Sequence, residues 1–392
     1  MAIYQPPSLH DEHDQVIELI GQLRRDMRLR VGETQRWYGT LRKAAFARAV
    51  QGSNSIEGYN ASLEDAAAIL DEEPPLETNA ETMNALVGYR DAMTYVLQIG
   101  KDEHAVVDEG LIKSLHFMML KHDLPKWPGR WRPGEIHVSN SESREIVYTG
   151  PDADQVPELI GELVEQAAST DEPVLVRAAM AHLNLAMIHP FRDGNGRMAR
   201  CLQTLVLAKE QIVAPVFSSI EEYLGRNTQA YYDVLAETGR GSWNPGNDAD
   251  PWIRFSLTAH YRQARTVQRR IEEIENLWRE CAVSARAAGL SDRAAAGLVE
   301  VALGFRLRRG SYIQSVLTTE GEEISDQTAT RELQAMVRSG LLTAVGERRG
   351  RYYVAAPAVE SIRASVRSGR PPRAQEDPFE LVQSGAQLEL GE

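Results

Sequence analysis

Positions 189 to 200 read HPFRDGNGRMAR, which places an imidazole, a carboxylate, two glycines and three arginines within twelve residues. His189 is the one group there able to act as a general base near neutral pH. Gly194 and Gly196 let backbone N–H groups approach an anion closely, and a helix starting at that point aims its positive end at the same place. Arg197 and Arg200, three apart, lie on one face of that helix and can hold successive phosphates. Asp193 is placed to ligate Mg²⁺, which prefers carboxylate and phosphate oxygens. The set describes phosphoryl or nucleotidyl transfer by positioning and charge neutralisation.

Helices must carry these groups. The pattern predicts one helix over 173–188, stopped at the His189-Pro190 step because proline disfavours helical backbone before it, and a Leu-rich helix over 195–209. Upstream, residues 14–95 are helical in pattern, with Val16, Leu19, Ile20 and Leu23 at spacings of three and four and a break at EEPPLETN, 72–79. Helices are also predicted over 80–99, 108–120 and 155–168. Between them, 125–157 is rich in Trp, Pro and Gly, and β-prone runs at 135–138 and 145–148 predict a hairpin with the polar tip SNSESR. A long helix is predicted over 251–288. From 291 to 354 the order helix, turn, helix and hairpin, with a helix start at Ser325 and a stop at Gly340, is that of a winged helix. Beyond Pro357 the polar composition predicts a weakly ordered tail.

Residues 189–200 resemble the signature H-P-F-x-[D/E]-G-N-G-R-x-x-R of the Fic family of protein AMP transferases at every defined position. The resemblance implies roles. His189 would deprotonate the target hydroxyl, and Asp193 would ligate magnesium. Asn195 would support the phosphate site, with the Gly194 and Gly196 amides as its anion hole. Arg197 would hold the γ-phosphate of ATP, and Arg200 the remaining phosphates. Attack would fall on the α-phosphate, so that AMP joins a Ser, Thr or Tyr side chain and pyrophosphate leaves. The likeness extends over about 35–265. It includes a hairpin like the family's substrate-aligning flap at 132–148, where the target protein would dock by strand addition. Tyr231-Tyr232 looks like the adenine-side tyrosine pair, with Tyr232 against the base. Some members carry an asparagine where this chain has Gly239, which leaves the adenine contact open.

SNSIEG, 53–58, resembles the inhibitory motif [S/T]-x-x-x-E-[G/N] of those Fic proteins whose autoinhibitory helix precedes the core. Glu57 is expected to pair with Arg197 and so to occupy the donor meant for the γ-phosphate, with Ser53 one turn earlier fixing the helix. Two alternatives come from other classes. One is another phosphoryl or nucleotidyl transfer on the same scaffold, against which stands Gly196, the glycine that the phosphorylating branch lacks. The other is a winged-helix DNA-binding regulator with a nucleotide-sensing core.

The expected fold is therefore mainly α: a Fic-type helical core with a β-hairpin flap, plus a C-terminal winged-helix domain. The divisions are a helical region at 1–100, the core with its following helices at 101–288, the winged helix at 289–358 and the tail at 359–392. At 392 residues, 43% hydrophobic and 25% charged, the chain has globular composition. It shows no signal peptide and no apolar run of membrane length, which predicts a cytoplasmic protein with no membrane contact. A net charge of -13 argues against a protein given over to nucleic acid. Arg331, Arg338, Arg348, Arg349 and Arg351 near the winged helix, diluted by Glu332 and Glu347, leave DNA binding and protein docking both open, and a homodimer is compatible with the rest. Cys201 and Cys281 read as core thiols and His182 as a core histidine. His10 and His13 read as a solvated helix start, while His116, His122 and His137 stand alone.

Overall fold

The computed structural model describes residues 2–31, 35–139, 144–209 and 215–384. The region before the phosphate motif contains α1 (Asp11–Arg30), α2 (Tyr38–Ile56), α3 (Leu63–Leu70), α4 (Ala80–Ile99) and α5 (Glu109–Leu120). Side-chain caps start several of these helices. Ser62 accepts from Asp65 N at 3.0 Å, Asn79 from Thr82 N at 2.8 Å and Asp108 from Leu111 N at 2.7 Å. An antiparallel hairpin follows, β1 (His137–Ser139) with β2 (Ile146–Thr149), at the place the pattern predicts. Its polar tip, residues 140–143, lies outside the described residues.

The centre is built from α6 (Val156–Ala168), α7 (Val174–Ile188) and α8 (Asn195–Ala208), which are followed by the short helices α9 (Pro215–Ser218), α10 (Glu221–Arg226) and α11 (Thr228–Gly239). Helices α7 and α8 are buried along nearly their whole length, which explains their continuous apolar runs. The long α12 (Asp250–Ala287) closes this layer, with Trp252 fully buried and its indole N–H donating to the Ala179 carbonyl at 2.8 Å. Helix α2 lies tightly on α10. A Cβ on Gly52 would stand 2.6 Å from the Glu221 carbonyl oxygen, and one on Gly225 2.7 Å from the Gly52 Cα, so both positions must be glycine.

Beyond α12 come α13 (Ala294–Leu303), α14 (Arg309–Glu320), α15 (Asp326–Arg338) and a second antiparallel hairpin, β3 (Leu342–Val345) with β4 (Tyr352–Ala355). Ser325 caps α15 by accepting from Thr328 N, and Gly340 follows its end at φ +72°. This part is tied to the front of the chain by buried charge. Lys43 of α2 pairs with Glu300 of α13 at 2.7 Å and with Asp71 at 2.5 Å, while Arg306 pairs with Asp65 at 3.0 Å.

The tail differs from expectation. Residues 357–384 contain two helices, α16 (Pro357–Ser368) and α17 (Pro378–Gln383), rather than weakly ordered chain. Each carries an apolar anchor that polar averaging hides: Val359 is buried beside α12, and Phe379 is buried edge-on against His13 and under the Arg254 guanidinium, 3.9 Å from its ring centre. Among the described residues no helix is long and apolar enough to cross a membrane.

Glu300 is almost fully buried, so Glu300→Ala leaves Lys43 with one carboxylate instead of two. Denaturant unfolding is expected to show a loss of about 3 kcal/mol. An unchanged midpoint would remove this ion pair from the forces holding α2 to α13.

Candidate active site

His189 ends α7 in the left-handed region, at φ +51° and ψ 57°, with its N–H on the Leu185 carbonyl. The geometry turns the chain sharply into the loop before α8. The His189 Nδ1 lies 3.1 Å from the Ala186 carbonyl, which requires that nitrogen to carry the proton and leaves Nε2 as an acceptor. Burial lowers the imidazole pKa, so the ring is neutral at physiological pH.

The loop is stapled from within and from outside. Asn195 Oδ1 accepts from the Phe191 N–H, and its Nδ2 donates to the Phe191 carbonyl, both at 2.9 Å. The side chain is thereby spent on loop shape. His116, which the sequence left isolated, is the outer support. Its ring stacks on Phe191 at 3.6 Å, its Nε2 meets the Asp193 carbonyl at 2.8 Å and its Nδ1 accepts from Gly129 N. Burial drives the His116 pKa down to about 4, which keeps it neutral. Arg132, at the base of the hairpin, is a further positioning residue: its Nε donates to the His189 carbonyl at 2.9 Å, and its Nη1 and Nη2 donate to the Gly134 and Pro151 carbonyls. Tyr148, at the other end of the hairpin, donates to the Met187 carbonyl at 3.0 Å. Gly239 abuts this contact. A Cβ there would stand 3.1 Å from Met187 Sδ and 3.2 Å from Tyr148, so an asparagine would crowd both side chains.

Gly194 caps α8 at φ +78°, and its N–H meets the Asp193 Oδ1. Burial raises the Asp193 pKa, but the ammonium of Lys126, 2.8 Å from Oδ2, outweighs it and holds the carboxyl below its ordinary range. Among the described residues no group of three or more His, Cys, Asp or Glu could hold a metal. A single ionised carboxylate fits Mg²⁺ that arrives on phosphate oxygens, provided Lys126 gives way.

The arginines separate. Arg197 and Arg200 are both about 1% exposed, an unusual setting for permanent cations. Arg200 donates through Nε to the Ser53 hydroxyl at 2.8 Å and through Nη2 to the Ser53 carbonyl at 3.0 Å and to Glu57 Oε1 at 2.6 Å. Burial would lower its pKa, and the Glu57 carboxylate reverses this to a net rise. The partner of Glu57 is therefore Arg200, which corrects the expected pairing with Arg197. Ser53 and Glu57 are one turn apart on α2 and bracket a guanidinium one turn inside α8. The Glu57 Oε1 stands 2.4 Å from where a Cβ on residue 196 would lie, so any larger residue there would push the carboxylate from this position. Arg197 instead lies under the Tyr59 ring, 5.1 Å from its centre, with Nε and Nη1 unpartnered.

Tyr231 is core: its hydroxyl meets His182 Nε2 at 2.8 Å, and burial depresses the His182 pKa to about 3. Tyr232 is 45% exposed, and its hydroxyl donates to the Ile56 carbonyl at the end of α2.

Residues 106–207 match the Fic/DOC family. This chain carries a Fic domain. It is 28% identical over 219 residues to the protein adenylyltransferase Fic of Nematostella vectensis, covering 54% of this chain and 46% of that one. It is 26% identical over 255 residues to the protein of the same name in Aedes aegypti, covering 62% and 47%. The chain thus spans about half the length of these curated relatives. A Fic family protein from Desulfovibrio desulfuricans shares the fold at TM-score 0.58 and 23% identity, covering 90% of this chain and 99% of that one. Residues 134–508 of Fic-1 from C. elegans align at TM-score 0.52 and 22% identity, covering 67% and 73%. The Fic-type fold is mainly helical here, as the sequence predicts.

Asn195→Ala removes both contacts that close the Fic loop. Two lost buried hydrogen bonds are expected to cost about 2 kcal/mol, seen as a lower unfolding midpoint and faster amide exchange at Phe191. Unchanged exchange there would return Asn195 to a direct role at the phosphates.

Proposed function

We propose that this chain transfers AMP from ATP to a Ser, Thr or Tyr hydroxyl of a target protein, and to itself, and that Glu57 holds it at rest. The observation that carries the reading is the pairing of a free His189 Nε2 with two buried arginines and a glycine-lined helix start. The names of the relatives as adenylyltransferases support it.

On this reading, the triphosphate lies along the start of α8. The Gly194 and Gly196 amides and the helix dipole face its oxygens, Arg197 has unpaired donors ready for the γ-phosphate, and Arg200 serves the others. Asp193 would hold Mg²⁺, which when bound neutralises phosphate charge. The target presents its hydroxyl along the 132–148 hairpin. His189 Nε2 takes the hydroxyl proton as that oxygen bonds to the α-phosphorus. The bond from the α-phosphorus to the oxygen bridging the β-phosphate breaks, and pyrophosphate leaves with its electron pair. Tyr232 stands at the mouth of this site to meet the adenine. In the resting state Glu57 occupies Arg200 and repels incoming phosphate.

Elements α13–α15 with β3 and β4 are read as a winged helix. The outer side of α15 lines a groove with Gln327, Thr328, Arg331 and Gln334, where Arg309 of α14 pairs with Asp326 at 3.0 Å and Arg331 is the cation left to meet a phosphate, and we read this polar face as a candidate for DNA. Anisotropy titration of the full chain against duplex DNA at two salt concentrations tests this. Absence of binding at low salt assigns the groove to protein docking.

His189→Ala is expected to lower AMP transfer by ~10²–10⁴-fold while ATP binding persists. Intact mass after incubation with ATP, Mg²⁺ and cell lysate reads this out. An AMP adduct formed at the unmodified rate would remove His189 from the chemistry.

Glu57→Gly is expected to raise self-modification by about a hundredfold, corresponding to a coupling of ~3 kcal/mol. Adding Arg200→Ala should cancel the gain. Equal labelling of the unaltered chain and Glu57→Gly would end the autoinhibition claim but leave the transferase reading standing.

The lowered pKa of His189 sets a pH dependence. A base whose pKa falls below its usual ~6.5 stays deprotonated through neutrality. In Glu57→Gly, kcat/KM should therefore be flat near pH 7 and fall only below about 6.5. An acidic limb centred above pH 7 would contradict this.

A further inference from the structure

Away from the Fic loop, α2, α10, α12 and the segment from α16 onward bring an excess of arginine to one place. Arg270 donates through both terminal nitrogens to Glu222 at 2.5 Å, Arg226 bonds the same carboxylate, and Arg48 stands 3.8 Å from it. Arg367 and Arg370 share Glu273, each at 3.2 Å. Five guanidinium groups thus depend on two carboxylates. Arg269 has none. Its Nη1 reaches the Pro371 carbonyl at 3.3 Å, while its Nε and Nη2 are buried without a partner. Arg373 is exposed, its charge lowers the pKa of Arg226, Arg269 and Arg370, and it forms no ion pair among the described residues.

This concentration of positive charge is felt by its members. Burial and the neighbouring cations Arg370, Arg373 and Arg270 bring Arg269 down to about 10. Burial and Arg270 bring Arg48 down to about 9. Such a cluster is unusual in a chain with a net charge of -13. Planar guanidinium forks match phosphate oxygens, and where seven of them share two carboxylates a compact ligand of several negative charges can supply the missing ones.

We propose that these arginines form a second anion site, separate from the Fic loop, that takes a compact oligophosphate. Arg269 supplies the buried donors, Arg370 closes one side, and Arg226 and Arg373 stand at the open edge. Through Arg48 the site touches α2, the helix that ends at Glu57.

Thermal unfolding of the full chain tests this, with sodium tripolyphosphate as the probe and sodium sulfate at equal ionic strength as the control. Tripolyphosphate is expected to raise Tm more than sulfate does. In an Arg197→Ala background, which removes the Fic-loop donor for a triphosphate, the difference should persist, and adding Arg269→Gln with Arg373→Gln should abolish it. If that triple variant does not fold, Arg373→Gln alone in the same background should weaken the apparent tripolyphosphate affinity by about tenfold. An equal response to sulfate would mean charge screening without a site. Loss of the response in Arg197→Ala would place the ion on α8. Either result overturns the proposal. Neither bears on AMP transfer, which the adduct assay measures separately.

Discussion

Two guanidiniums of α8 are about 1% exposed, and of the two it is Arg200 that has an anion against it. In this structure the anion comes from the chain itself, through Glu57. Much of the surrounding architecture follows from that contact. Glycine at 196 leaves room for the carboxylate, whose Oε1 stands 2.4 Å from where a Cβ there would lie. Helix α2 must approach α8 closely, so it sits against α10 through two glycines without space between them. Ser53 must face the same way as Glu57, which one helical turn provides. A nucleotide that is to use Arg200 has to replace a bonded carboxylate with a phosphate, and charge complementarity alone does not favour one over the other. The balance therefore depends on how firmly α2 is held.

That helix is held along its length by buried charge and at its end by Arg200 and Tyr232. Lys43 anchors its first half to Glu300 and Asp71, and Arg48 lies among the arginines around Glu222. At the other end Glu57 already leaves the helical conformation, Gly58 is left-handed at φ +84°, and the hydroxyl of Tyr232 holds only the Ile56 carbonyl. The contacts that α2 makes with Arg200 come from its last turn and its cap, whereas removing the whole helix would expose buried charge. The same short segment also covers the second arginine, since Tyr59 lies over Arg197 and its hydroxyl meets Lys126 at 3.4 Å. Lys126 in turn pairs with Asp193. Arg200, Arg197 and Asp193 are thus each in contact with another residue of the chain.

The shape of the loop was legible in the sequence because its residue types are dictated locally: a left-handed turn at Gly194, a histidine at the end of a helix and arginines three apart. The hairpin, α7, α8 and α12 were legible because their periods and breaks are strong. What the sequence could not resolve depended on which side chains meet across helices. Arg197 and Arg200 share one face and one charge, so only the crossing of α2 over α8 decides between them, and it selects Arg200. His116 carried no local signal, since its partners come from residues 129, 191 and 193. The ordered tail was hidden for a related reason: single anchors such as Phe379 bind a segment whose average composition is polar.

The central claim is that one guanidinium is contested by Glu57 and by phosphate, and equilibrium binding measures that contest without any chemical step. Titration calorimetry of a non-hydrolysable ATP analogue with Mg²⁺ can be run on the unaltered chain, on Glu57→Gln and on Glu57→Gly. The account predicts that Kd tightens at least about tenfold on removing the carboxylate, with Glu57→Gln closer to Glu57→Gly than to the unaltered chain, because the charge rather than the bulk competes. Equal affinity in all three proteins would contradict it and leave the Glu57–Arg200 contact as a structural ion pair alone.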